Sequence, residues 1–189
     1  MKKYILLAGV NGAGKSTLFS IISSLNEIEK INLDETVSEI GDWRDSKAVV
    51  QAGRLVISRI NEYFNSEKSF SQETTLCGSS ILHNIQRAKD LGYYIEMHYV
   101  GLDSADTAKK RVENRVKRGG HGIPDADIER RYIETLDNLK LVLPQCDLAA
   151  IYDNTEGFRR FAIYKDGRCV RQSSCIPDWY QNAMKESTF

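Results

Sequence analysis

Apolar positions in this chain fall into two rhythms, short unbroken runs and longer stretches with helical spacing. Lys3-Tyr4-Ile5-Leu6-Leu7-Ala8 is a short apolar run that reads as a buried strand. Thr17-Leu18-Phe19-Ser20-Ile21-Ile22 opens a helix expected to end near Asn26. Lys30-Ile31-Asn32-Leu33 reads as a second short strand, with Asp34 at its C-terminal end. Gly41-Asp42-Trp43-Arg44 is a loop. Val49, Val50, Leu55, Val56, Ile60 and Phe64 then recur at helical period, giving a long amphipathic helix from about Ser46 to Asn65. Ser69-Phe70-Ser71-Gln72-Glu73 alternates weakly, as a third strand. Gly78-Ser79-Ser80 begins a helix that Gly92 ends. Tyr93 to Val100 is aromatic and β-branched, and reads as a buried strand.

Ser104 can cap the next helix, Ala105 to about Arg118, which Gly119-Gly120-His121-Gly122 breaks. Pro124-Asp125 starts another, closed by Pro144. Leu148-Ala149-Ala150-Ile151-Tyr152 is a further strand. Phe161-Ala162-Ile163-Tyr164 and Cys169-Val170-Arg171 flank Lys165-Asp166-Gly167 as a C-terminal β-hairpin. Pro177 to Met184 reads as a short helix. Strands alternating with helices predict an α/β fold, a parallel sheet with helices on both faces. The chain reads as one domain over 1–189, with a core of about 3–155 and a C-terminal extension over 156–189.

Composition narrows the picture. The chain has 189 residues, 41% of them hydrophobic, enough for one α/β core. Lys plus Arg and Asp plus Glu number 26 each, so no net charge argues for bulk nucleic-acid binding. Cys77, Cys146, Cys169 and Cys175 form no C-x-x-C pair and read as free thiols in a reducing cytosol. No apolar stretch is long enough to span a membrane. The start, Met1-Lys2-Lys3 before an apolar run, mimics a signal peptide, but that run is short and passes directly into the loop described next.

Gly9-Val10-Asn11-Gly12-Ala13-Gly14-Lys15-Ser16 fits the P-loop pattern between a strand and a helix. Glycines let backbone N–H groups converge on a phosphate, and the helix N-terminus adds partial positive charge. Asn11, Gly12, Ala13, Gly14, Lys15, Ser16 and Thr17 are therefore the candidate ATP-binding residues. Lys15 reaches the β- and γ-phosphates, and the Ser16 hydroxyl is the candidate Mg²⁺ ligand.

Arg111, Arg115 and Arg118 stand at i, i+4 and i+7 on one helix face beside the apolar stripe Ala105, Ala108, Val112 and Val116. Alone this is a solvated basic face. Next to a P-loop and before a glycine hinge, it reads as a lid that closes on phosphates, with Arg115 central. Arg130 and Arg131 can join it. Asp34 has two readings, a helix cap or a carboxylate that accepts an acceptor hydroxyl's proton. Glu73, Thr74 and Thr75 are either a satisfied turn or a polar wall for substrate hydroxyls or Mg²⁺-bound water. His121, between glycines and without a His or Cys cluster, is expected to contact nucleotide rather than a metal.

The ordered set Gly9-x4-Gly14-Lys15-Ser16, Asn32-Leu33-Asp34, Glu73-Thr74-Thr75-Leu76, Arg111-x3-Arg115, Gly119-Gly120-His121, Arg130-Arg131-Tyr132 and Tyr152-Asp153-Asn154 resembles the zeta-toxin family of P-loop kinases. It spans roughly residues 3–155. The resemblance implies a P-loop NTPase fold and ATP-dependent phosphorylation of a hydroxyl on UDP-N-acetylated amino sugars. It also implies Asp34 as base, Lys15 and a lid arginine on the phosphates, Glu73 and Thr75 near the substrate, and an antitoxin as a possible protein partner. The chain departs from the toxin pattern at Glu35-Thr36, where no His-Pro pair follows, and at Gly119-Gly120-His121, where toxins often carry another arginine. The expected function is a cytoplasmic Mg-ATP-dependent small-molecule kinase. The competing readings are a kinase of another metabolite or nucleoside, and a nucleotide-dependent switch with slow hydrolysis. The chain has no Asn-Lys-x-Asp segment of a GTPase and no Leu-Ser-Gly-Gly segment of a transporter ATPase.

Overall fold

A computed structural model describes residues 1–25 and 28–185. Strand β1 (Lys3–Ala8) leads through the glycine loop into α1 (Lys15–Ile21). Then come β2 (Glu29–Ile31), α2 (Leu33–Ile40), α3 (Ser46–Asn65), β3 (Phe70–Thr74), α4 (Ser79–Asp90) and β4 (Tyr94–Gly101). The remainder is α5 (Ala105–Lys117), α6 (Asp125–Val142), β5 (Leu148–Asp153), β6 (Arg159–Lys165), β7 (Arg168–Gln172) and α7 (Asp178–Lys185). Among the described residues the strands form one seven-stranded sheet in the order β2-β3-β1-β4-β5-β6-β7. Pairing is parallel from β2 to β5 and antiparallel from β5 to β7. No helix among those residues is long and apolar enough to cross a membrane.

The two-residue period of a strand decides which side chain meets which layer. Tyr4, Leu6 and Ala8 of β1 pack with Phe64 of α3, Ile85 of α4, Leu139 of α6 and Trp179 of α7. Ile5 and Leu7 face the opposite way, toward Leu25 and the half-buried Phe19. On that side Leu18 of α1 and Val112 of α5 join Val100, Ala150 and Tyr152. The sheet is thus covered on both faces, as the alternating pattern predicts. The segment expected as an extension is not peripheral, because Trp179 and Tyr180 belong to the main core. In the β6–β7 turn, Asp166 and Gly167 have φ of 49° and 72°, the geometry of a tight hairpin.

Two boundaries and one helix differ from expectation. Helix α1 stops at Ile21, and Asn26, the expected end, lies outside the described residues. Strand β2 ends at Ile31, two residues early. The run after it is the helix α2, which the periodicity did not reveal. Its cap is Asn32, whose side chain accepts from the N–H groups of Asp34 and Glu35. Asp34 is therefore neither at a strand end nor a cap. It sits in the first turn of a helix, where a carboxylate is favoured by the helix dipole.

Candidate active site

The C-terminal ends of β1, β2 and β3 open into one cleft of about 630 Å³. In parallel sheets this is the edge where loops gather ligands. Gly9 starts the phosphate loop so close to β4 that a Cβ there would sit 2.1 Å from the Val100 carbonyl oxygen. Gly14 caps α1 with φ of 97° and with no side-chain hydrogen bond, so the first-turn N–H groups stay open for an anion. A Cβ on Gly14 would meet Asn154 Nδ2 at 2.7 Å and Phe158 at 3.0 Å. Asn154 Nδ2 in turn donates to the Ala13 carbonyl at 2.8 Å, bracing the loop from β5's end.

Lys15 is buried and donates to the Gly9 and Val10 carbonyls at 2.9 and 3.1 Å. Burial pushes its ammonium below the ordinary lysine value, and Glu73 and Asp34 oppose that shift. Glu73 owes its place to register, since it pairs with Leu7 one step before the loop. Its Oε2 accepts from Ser16 Oγ at 2.8 Å and from Asn32 Nδ2 at 2.9 Å, and Oε1 lies 3.9 Å from Lys15 Nζ. Accepting that proton leaves the Ser16 oxygen's lone pairs free for a cation. Thr74 and Thr75 line the cleft beside it. The Thr74 hydroxyl accepts from the Leu76 N–H at 3.0 Å, which is the satisfied-turn reading of that side chain.

Asp34 is held from two sides. Arg115 Nη1 is 3.5 Å from its Oδ2 and His121 Nε2 is 3.6 Å from its Oδ1. Arg115 Nε and Nη2 and His121 Nδ1 are buried and have no hydrogen-bond partner. Arg131 Nη1 donates to Asn11 Oδ1 at 3.0 Å and ties α6 to the phosphate loop.

The expected residues divide accordingly. Asn11, Gly12, Gly14, Lys15, Ser16, Thr17, Asp34, Glu73, Thr74, Thr75, Arg111 and Arg115 line the cleft. Ala13 is buried behind the loop. Arg111 does not offer a free fork, because its Nη2 donates to the Asn154 and Thr155 carbonyls at 2.6 and 3.0 Å. It braces the loop after β5. Arg118 is outside the cleft: α5 ends at Lys117, and Arg118 is an exposed C-cap whose N–H bonds to the Arg115 and Val116 carbonyls. His121 meets Asp34 and the Trp43 ring, 5.7 Å between centroids, rather than the phosphate loop. Among the described residues no three His, Cys, Asp or Glu gather as a metal cluster. The open helix terminus and the Ser16–Glu73 pair suit Mg²⁺ carried with a nucleotide. Sequence reasoning named Arg130 and Arg131 together. Arg130 is taken up by Asp127 and Glu134 on its own helix, so Arg131 is the one that reaches the loop. Asn32 and Trp43 were missed as site residues. Asn32 stands three before Glu35, the spacing of a capping box, and that was a usable signal.

No protein-family model matches the chain. A Haemophilus influenzae protein described only as uncharacterized is 33% identical over 130 residues, covering 69% of this chain and 92% of that one. A chain of the AvrRxo1-ORF1:AvrRxo1-ORF2 complex solved with ATP superposes with a TM-score of 0.72 at 14% identity. The match covers 98% of this chain but 63% of that one, so this chain spans just under two thirds of its length. The PezAT chromosomal toxin-antitoxin system of Streptococcus pneumoniae gives a TM-score of 0.60 at 18% identity, over 98% of this chain and 78% of that one. At such identities the likeness is one of fold. The expected α/β fold, a largely parallel sheet behind a phosphate loop with a C-terminal β-hairpin, is the fold observed and the one these structures share.

Proposed function

The chain belongs to one family with the Haemophilus influenzae protein, and from that footing and its P-loop fold we propose that it is an ATP-dependent small-molecule kinase of zeta-toxin type. It transfers the γ-phosphoryl of Mg-ATP to a hydroxyl of a sugar nucleotide such as UDP-N-acetylglucosamine, or of a related metabolite. The division of labour within Arg115 supports this reading best. One nitrogen sits on Asp34, while Nε and Nη2 are buried without partners. Those two atoms form the edge of a guanidinium that binds a phosphoryl or carboxylate group bidentately. Arg115 thus couples a candidate base to a guanidinium edge without hydrogen-bond partners, beside the cleft it lines with Lys15 and Ser16.

The chemistry follows from that layout. Asp34 accepts the acceptor's hydroxyl proton as the hydroxyl oxygen bonds to the γ-phosphorus. The bond from that phosphorus to the bridging oxygen breaks, and ADP leaves with the electron pair. The Arg115 fork meets the charge on the phosphoryl oxygens, and Lys15 exchanges the Gly9 and Val10 carbonyls for β- and γ-phosphate oxygens. The Ser16 hydroxyl would hold Mg²⁺, which would supply positive charge against the charge of the phosphates. A partner of antitoxin type fits this reading, since both similar structures come from two-component systems, one of them a toxin-antitoxin pair. The cytoplasm is the matching compartment, given four free cysteines.

The test measures ADP release and product mass for wild type and Asp34→Asn, with and without UDP-N-acetylglucosamine. Asn keeps the shape and loses the proton-accepting charge. Mg-ATP affinity should survive, and transfer should fall by about 10²–10⁴. Wild-type turnover in Asp34→Asn removes Asp34 from the mechanism. Slow hydrolysis that no hydroxyl acceptor in a panel stimulates replaces the kinase by a nucleotide-dependent switch.

A further inference from the structure

We propose that His121 is a positioning residue for Asp34, holding one carboxylate oxygen while Arg115 holds the other, so that the base meets the acceptor in one orientation. The proposal rests on the kinase reading above. Two loops converge to make the contact. Trp43, between α2 and α3, packs its ring on His121. Gly122, between α5 and α6, approaches Trp43 so closely that a Cβ would lie 2.5 Å from the indole. Gly119 turns the chain out of α5 with φ of 84°, a conformation glycine adopts without strain. The result sets the imidazole beside Asp34, 3.6 Å from Nε2 to Oδ1, a separation that such contacts shorten once substrate is bound.

The partners assign the tautomer. With its proton on Nε2, neutral His121 offers an N–H to the carboxylate and leaves only a bare lone pair on the buried, unpartnered Nδ1. The other tautomer would bury an orphan N–H and set a lone pair against a carboxylate, at a cost of about 1–3 kcal/mol for the orphan alone. The groups facing the ring are Asp34 on α2, Asp42 in the α2–α3 loop, Arg115 on α5 and Arg131 on α6. Burial lowers the imidazole's proton affinity most, the two arginines add to that, and the two aspartates oppose it. At neutral pH the ring is therefore uncharged. A neutral donor orients the carboxylate without cancelling the charge that makes it a base. Protonation in acid turns the contact into an ion pair that ties up the charge Asp34 offers the acceptor, and gives turnover an acid limb.

Two variants separate positioning from packing. His121→Phe keeps a ring against Trp43 and loses the donor. His121→Gln keeps a nitrogen donor near the place of Nε2. Turnover of Mg-ATP is read as ADP release with UDP-N-acetylglucosamine and with water alone, alongside calorimetric Mg-ATP affinity. His121→Phe should lose about 10–10²-fold in kcat at unchanged Mg-ATP affinity, and His121→Gln should recover most of that loss. The imidazole titration, followed by NMR and assigned by loss of its signal in His121→Gln, should move down by about one unit in Asp34→Asn, which removes the opposite charge. An unmoved titration overturns the proposal, whatever the activity. So does a wild-type kcat in His121→Phe, or a fall in Mg-ATP affinity that accounts for the whole loss. A wild type that releases no ADP with any hydroxyl acceptor of the panel instead refutes the kinase reading, and this role falls with it.

Discussion

Arg115→Ala removes a side chain that contributes little to the resting protein and much to the proposed transition state. Its pair with Asp34 spans 3.5 Å, with the two side chains 37% and 30% exposed. Solvent screening holds such a pair to about 0–1 kcal/mol. Against it stand the two buried nitrogens without partners, each costing roughly 1–3 kcal/mol while nothing fills the fork. The variant should therefore melt within a few degrees of wild type, or above it. In turnover the fork meets developing charge, and its loss should lower kcat by about 10²–10⁴, or about 2.7–5.5 kcal/mol at 1.36 kcal/mol per tenfold. Arg115→Lys keeps the charge without the bidentate edge and should fall between. Thermal melts and ADP release on the three proteins decide it. Early melting of Arg115→Ala together with normal turnover would make Arg115 a brace and refute the reasoning.

Gly120→Ala tests the same side chain from behind, because the new Cβ would lie 2.6 Å from Arg115 Cγ. It should displace Arg115 and cost about 10–10²-fold in kcat while calorimetric Mg-ATP affinity holds; normal kcat would show that the lid yields. Away from the cleft, the hydrogen bond from His98 holds the Glu96 carboxyl below its usual range, against burial and with help from Lys3. A depressed carboxyl stabilises the fold above its unfolded value of 4.5, and that contribution is lost as pH falls. Glu96→Gln should then cost roughly 1–3 kcal/mol at pH 7 by denaturant titration, with the gap closing toward pH 4; a gap independent of pH would contradict this.

Local patterns were legible where one physical cause dominates. The helix Ser46–Asn65 was read to the residue because its apolar positions repeat over many turns. The phosphate loop is legible from the spacing of its glycines, Lys15 and Ser16 between an apolar strand and a helix start. Helix α2 was hidden because Lys30-Ile31-Asn32-Leu33 looks like a strand, and only the cap at Asn32 cuts it short. Arg111 and Arg115 are on α5 and Arg118 is its C-cap, and three environments await them: backbone carbonyls, Asp34 and solvent. Spacing reports the face and not what lies opposite. His121 shows the same limit, since its partners Asp34 and Trp43 come from α2 and the loop after it, some eighty positions earlier, which no local window sees.

The hydrogen bond from Asn154 to the Ala13 carbonyl bridges 141 positions of sequence. Synthesis runs from the N-terminus, so the phosphate loop leaves the ribosome 141 positions before the group that braces it. Its flanking strands, β3 and β4, also come afterwards, and parallel pairing between distant segments is slow to form. Trp179, later in the chain still, then closes over Gly101 and donates to Asp153 at 3.1 Å. A growing chain of this protein therefore carries its ATP motif long before it has an ATP site. The proposed turnover waits on a segment as late as Asn154, and a partner that recognises the finished cleft has nothing to bind before it is made.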